Sequence, residues 1–411
     1  MIPLPVEELA GLGRLVRRPG YDEVTGVTID SRRVGEGDLF VAVRGGVDFV
    51  SHALARGAAA ALVPDDAHAA LAQIGGTVRA RSGARVVAIT GSYGKTTTKD
   101  ILAALCAPHA RTVAAEASYN AELGVPLTLC RIEPDTEICV LELAMRGPGQ
   151  IATLAAFARP HIGVITNVGP VHLELLGSLE AIAQAKAELL DFVEAAVLPD
   201  EPLLDPFVPV GLPVRRFSPS DVLSFDGGVA VFRFDGRELE LRLDLVMAHN
   251  AVNALAALHA YAALGLPLDR AQEGASHIEL SRWHGEELPL AGGGVLIADC
   301  WNANPVSMRA ALDHAVRVAA GRRIVAVLGG MAELGPETPR YHAEIAEHLR
   351  ELGIADVIAV GELARPYGGT WVATPADAIA ALTAVLQPGD VVLLKGSRSV
   401  GLEAVAANFF H

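Results

Sequence analysis

Residues 91–98 read GSYGKTTT and follow directly on the β-branched apolar run RVVAIT at 85–90. Gly91 and Gly94 permit the backbone dihedrals by which successive N–H groups, those of Ser92 and Tyr93 included, turn toward an anion. Lys95 then reaches terminal phosphates, the Thr96 hydroxyl suits Mg²⁺, and the next helix aims the positive end of its dipole at the same charge. The spacing GxxGKT is shorter than the usual GxxxxGK[ST]. Its context supplies what the spacing lacks: a strand pattern before it, and Ile101, Leu102 and Leu105 at helical spacing after it. The chemistry expected here is the gripping of a nucleoside triphosphate.

Such a loop works only where a sheet presents it. From Arg85 onward strand and helix patterns alternate: Ile138–Leu143 strand, Ile151–Ala158 helix, Ile162–Asn167 strand, Leu179–Val193 helix. Alternation of this kind implies a parallel sheet wrapped by helices, with ligands at the carboxyl ends of its strands. Polar residues that end apolar runs are therefore candidates. Glu142 could hold Mg²⁺ opposite Thr96. His172, after Thr166-Asn167, is either a metal ligand or an ordinary surface or core histidine. Lys186 lies among alanines on its helix, where solvation is the ordinary reading, and His249, Asn250 and Asn253 alone mark only a helix start.

The first ~80 residues read as a small separate unit of short β-like runs, Val24–Ile29, Leu39–Val43 and Ala59–Val63, closed by glycine turns at Gly75-Gly76 and Ser82-Gly83. Val229–Leu245 reads as a hairpin about Asp235-Gly236, followed by a helix over Asn250–Leu264. After Gly292–Gly294 the alternation resumes with strands near Val295–Ala298, Ile324–Leu328, Val357–Val360 and Val391–Leu394. The expected fold is α/β in three domains: residues 1–83, a central P-loop parallel-sheet domain at 84–287, and a Rossmann-like domain at 288–411. A length of 411 residues agrees with more than one core.

Acidic residues outnumber basic ones 48 to 33, and the net charge of −15 argues against a nucleic-acid surface. Cys106, Cys130, Cys139 and Cys300 show no CxxC spacing, and MIPLPVEELAGLGRLVRR has no secretory apolar core, so a reducing cytoplasm is expected. No integral membrane segment is expected either: the Ala-rich stretch Ala251–Leu266 is interrupted by Asn253 and His259.

Taken in order, TGSYGKTTT, the Glu142 strand, TNVGPVHLE, AQAKAEL, HNAVNALAA, Arg282, DCWNANPVSM and LLKGSRS resemble the Mur ligases, the ATP-dependent amide-forming enzymes of peptidoglycan assembly. NANPVSM after Asp299, with VLGGMAELG and KGSRS, is most similar to the member that adds D-alanyl-D-alanine to UDP-N-acetylmuramoyl-tripeptide. The resemblance implies that Lys95, Thr97 and the loop amides bind ATP phosphates. It puts one Mg²⁺ on Thr96 and Glu142, a second on His172, and a carbamoylated Lys186 beside the metals. His249, Asn250 and Asn253 would border adenine and ribose, with Arg282 and Asp299 as further nucleotide contacts. Asn302, Asn304, Lys395 and Ser397 would meet the dipeptide and the transferred phosphate. Asp30, Ser31 and Arg32 match the uridine-nucleotide pocket, and Asn120 a substrate contact. A monomer is the expected state.

The chain departs from the family pattern at Tyr93, where a small residue is usual, at Gly330 in place of an acid, at Trp301 in place of Tyr, and at Ser118 and Ala121 in place of Asn. The implied chemistry activates the peptide carboxylate as an acyl phosphate for attack by the dipeptide amine. Hinges near 82–85 and 285–294 are expected to let three domains close. Another Mur-type ligase, a folylpolyglutamate synthetase-like enzyme, a P-loop kinase or a non-catalytic nucleotide-binding homologue are the alternatives.

Overall fold

The computed structural model describes residues 1–409. Three sheets dominate it. The first runs Gly13–Arg17, Ala60–Pro64, Asp38–Val41, Gly26–Thr28 in spatial order, and only its first pair is antiparallel. The second is six-stranded and wholly parallel, in the order Val214–Phe217, Ala195–Pro199, Ile162–Ile165, Arg85–Thr90, Ile138–Glu142, Thr112–Ala114. Its four inner strands are nearly continuous buried apolar runs, as burial on both faces requires, while the edge strands Val214–Phe217 and Thr112–Ala114 are only partly buried. A three-stranded antiparallel meander, Val222–Asp226, Val229–Phe234 and Arg237–Arg242, extends the expected hairpin by one strand.

The third sheet is Glu286–Leu290, Gly294–Asp299, Val391–Lys395, Ile324–Gly329, Asp356–Val360, Thr370–Val372, parallel apart from its first pair. Strand Glu286–Leu290 thus spans both the expected boundary at 287/288 and part of the expected 285–294 hinge. The segment without regular structure lies earlier, at 278–285. Residues 82–84 do separate a helix from a strand, but one continuous core runs across them. It joins Leu39, Leu62 and Ile74 of the N-terminal unit to Val86, Leu141 and Leu154 of the next. The Arg79 guanidinium further binds the carbonyls of Ala158 at 3.0 Å and Arg159 at 2.9 Å. A hinge at 82–85 does not fit this packing.

Gly75-Gly76 is not a turn but the middle of helix Ala67–Arg81, capped by Asp66. A Cβ on Gly75 would lie 2.9 Å from Cα of Pro126. The glycine is there for close approach between helices, a role that local sequence reads as a break. The helix expected over Leu179–Val193 is α-helical only to Ala187 and tightens to a 3₁₀ turn at Glu188–Phe192.

Candidate active site

Strand Arg85–Thr90 delivers the glycine loop to the carboxyl edge of the central sheet, and helix Lys95–Cys106 leaves from it. Both loop glycines are sterically required. Gly91 has φ +148° and its Cβ would fall 1.9 Å from Thr166 Oγ1; Gly94 has φ +76° and its Cβ would fall 2.2 Å from Asn253 Oδ1. The first amide bonded back along the chain is that of Thr98, to Gly94 O at 2.9 Å. By helix geometry the amides before it have no partner within the helix and can meet an anion.

Ser92 and Tyr93 contribute differently. Their N–H groups donate to Asn167 Oδ1 at 3.1 and 3.0 Å, and Asn167 Nδ2 returns a bond to Tyr93 O at 2.9 Å. Asn167 therefore fixes the loop's shape, although the residue-by-residue reading gave it no role. Tyr93 fits because Gly169 has no side chain: a Cβ there would be 2.8 Å from the Tyr93 ring. Lys95 Nζ rests on Gly91 O at 2.8 Å. Burial lowers the Lys95 ammonium from its ordinary value, and Glu142 opposes that shift.

Glu142 is 1 % exposed, and both its oxygens are used: Oε2 accepts from Thr96 Oγ1 at 2.8 Å and Oε1 from Asn120 Nδ2 at 2.7 Å. A buried lysine that sequence reading overlooked anchors the segment just before Asn120. Lys99 Nζ donates to the carbonyls of Ala115 (2.7 Å) and Ala117 (2.9 Å) and pairs with Asp100, which in turn accepts the Ser281 N–H. The signal was present in GKTTTK, but a lysine beside an aspartate on a helix reads as solvated.

Lys186 is 2 % exposed, not on a solvated face. Burial pushes its amine well below the ordinary lysine range, and the charge of Lys95 adds to the push. It stands behind the cleft wall rather than on it. His172 is on the wall, in left-handed backbone, with Nδ1 bonded to Glu333 of the C-terminal sheet's loops. Among the described residues no three His, Cys, Asp or Glu side chains form a ready-made metal cage.

The cleft, of about 870 Å³, is lined by residues 92–97, Asn120, Glu142, His172, His249, Asn250, Asn253, Asp299, Asn302, Asn304 and Lys395. Asn253 Nδ2 donates to Asn250 Oδ1 at 3.1 Å on the first turn of helix Asn250–Ala263. Crowding by protein atoms pushes the His249 imidazole down to about 4 although its surface opens to the cleft. On the opposite wall Lys395 Nζ pairs with Asp299 Oδ2 at 2.7 Å and donates to Asn302 O at 3.0 Å. Asn304 Oδ1 caps helix Pro305–Ala319 through Ser307 N–H, so this oxygen is already engaged.

Some expected site residues lie elsewhere. Arg282 is exposed and stacks over Trp283 instead of facing the cleft. Ser397 Oγ accepts the Ala332 N–H at 2.9 Å and so positions a loop. Asp30, Ser31 and Arg32 are outside the cleft in the N-terminal unit, where Arg32 binds Asp30 through two bonds of 2.9 and 2.8 Å and holds its carboxyl down at about 2. Gly330 has no room for an acid: its Cβ would lie 2.4 Å from that of Leu363.

Known proteins share this fold and domain order. Residues 89–261 match the Mur ligase middle domain, 286–398 the Mur ligase glutamate ligase domain, and 23–105 the catalytic domain of the Mur ligase family. A Synechocystis protein named UDP-N-acetylmuramoyl-tripeptide–D-alanyl-D-alanine ligase is 35% identical, over 93% of this chain and 91% of its own length. The chain belongs to the Mur ligase family. The Bacillus subtilis protein of the same name is 30% identical over 100% of this chain and 99% of its own. Among solved Mur ligases, MurF from Acinetobacter baumannii superposes with a TM-score of 0.84 at 26% identity, covering 99% of this chain and 98% of that one. MurF from Thermotoga maritima in complex with ADP gives 0.79 at 27% identity, covering 93% and 96%.

Proposed function

We propose that this chain joins D-alanyl-D-alanine to UDP-N-acetylmuramoyl-tripeptide at the expense of ATP, as a cytoplasmic monomer. The observation that carries the reading is the meeting, in one cleft, of the glycine loop, the Thr96–Glu142 pair and His172 with the Asp299–Lys395 wall of the C-terminal domain. No helix among the described residues is long and apolar enough to cross a membrane.

A carboxylate is a poor electrophile, and the γ-phosphate solves this. The terminal carboxylate of the peptide attacks phosphorus, ADP leaves, and the dipeptide amine then displaces phosphate from the acyl carbon. Lys95 and the helix-start amides hold the transferring phosphate in place; losing one such contact typically costs roughly 3 kcal/mol or more of barrier. Thr96 and Glu142 suit one Mg²⁺ and His172 a second, and such ions supply charge neutralisation at the phosphate oxygens. Lys186 is buried and its amine is driven toward the neutral form, the form that would add CO₂ and release a proton; the resulting carbamate would offer oxygen donors in place of an ammonium. Asn250 and Asn253 border the nucleoside, Asn302 and Lys395 the dipeptide, and Asp30–Arg32 the uridine nucleotide.

The test is ADP release coupled to product mass. Release that requires both the muramyl tripeptide and D-alanyl-D-alanine, with one amide product, is expected. Release with the tripeptide and a free amino acid, but not with the dipeptide, would assign the chain to another ligase of the family.

A further inference from the structure

Two loops meet across the cleft at the carboxyl ends of parallel strands. One follows Ile162–Ile165 of the central sheet and carries His172; the other follows Ile324–Gly329 of the C-terminal sheet and carries Glu333. Glu333 Oε2 contacts His172 Nδ1, and Arg146 Nε lies 3.7 Å from the other carboxylate oxygen. Both residues occupy left-handed backbone, φ 54° at His172 and 63° at Glu333, which non-glycine residues adopt only where the surroundings impose it.

The backbones also engage each other. Glu174 N–H donates to Glu333 O at 3.4 Å, and Gly335, φ 58°, lies so close that a Cβ there would be 2.9 Å from Glu174 Cα. Ser397 Oγ, accepting from Ala332 N–H, pins the residue before Glu333.

We propose that Glu333 is a positioning residue: by accepting from His172 Nδ1–H it fixes the imidazole tautomer and turns Nε2 toward the cleft, so the cation site is complete only when the C-terminal domain is docked. A carboxylate on the far nitrogen of a ligating histidine orients the ring and raises its basicity, and its loss commonly costs 10- to 100-fold in metal affinity. The inference rests on His172 being a cation ligand, and its experiment separates the two claims.

Glu333 is half-exposed, so Glu333→Ala and Glu333→Gln are expected to fold. With ADP and dipeptide bound and Mg²⁺ withheld, ¹⁵N imidazole spectra at pH 8 should place the His172 proton on Nδ1 and should lose that preference in Glu333→Ala. The Mg²⁺ concentration for half-maximal ADP release should rise about tenfold in Glu333→Ala. Adding Glu333→Ala to His172→Ala should cost nothing further. An unchanged tautomer in Glu333→Ala, a wild-type Mg²⁺ requirement, or multiplicative losses in the double variant would overturn the positioning role. Wild-type turnover in His172→Ala would instead remove the cation-ligand reading on which it rests.

Discussion

Lys95 and Lys186 face the same difficulty, a cation in a poorly solvated place, and resolve it differently. Lys95 has Glu142 to favour its charge and a carbonyl to donate to, so it can serve as a charged phosphate contact. Lys186 has burial and a neighbouring cation against it, which favours a neutral amine open to carbamate formation. Lys95→Ala should therefore lower turnover by at least about a hundredfold in a steady-state ADP-release assay; a near-normal rate would remove the phosphate contact. Lys186→Ala should lose most activity and regain part of it with a small added carboxylate, while CO₂-free buffer should weaken the wild-type enzyme. Equal rates with and without CO₂ would count against the carbamate. The loop's place at a strand end and before a helix was legible from residue types alone. The burial of Lys186 was not, because its alanine-rich helix gives no local sign of what packs on it.

Helix Asn250–Ala263 shows how an element serves site and core together. Its first turn places Asn253 against the backbone of Gly94, so Gly94→Ala should displace Asn253, impose left-handed strain and raise KM for ATP in a steady-state ADP-release assay; an unchanged KM would contradict this. Its later turns carry His259, 6 % exposed, stacked 4.5 Å from Phe234 with Nδ1 accepting from Arg215 at 3.3 Å. Burial, helped by Arg215, pushes this imidazole down to about 4. The unfolded chain, titrating near 6.5, then binds more protons than the folded one between those values, so stability falls as pH drops through that window. From this group the loss between pH 7 and pH 5 is about 2 kcal/mol. Urea midpoints at both pH values should differ less in His259→Phe than in wild type. Strand periodicity revealed the parallel sheets, but not Gly75-Gly76, whose purpose is a contact with Pro126 far along the chain.

At the scale of the molecule, one core binds the N-terminal unit to the central sheet, while the C-terminal sheet packs its two faces in clusters to which, of the buried residues before 286, only Met247 contributes. Domain motion should therefore be concentrated at 278–285, and scattering should report a more compact particle with ADP, Mg²⁺ and dipeptide than without; superimposable profiles would contradict it. Three-domain order was readable because each sheet repeats its own strand–helix rhythm. The fusion of the first two cores and the Glu333–His172 contact were not, since both depend on pairs of segments that no local pattern relates.

The central chemistry of the cleft is activation of a carboxylate by phosphoryl transfer. Tripeptide carrying ¹⁸O in its terminal carboxylate tests this most directly: one labelled oxygen should appear in the inorganic phosphate for each amide bond formed. Phosphate free of label, with amide still accumulating, would contradict it.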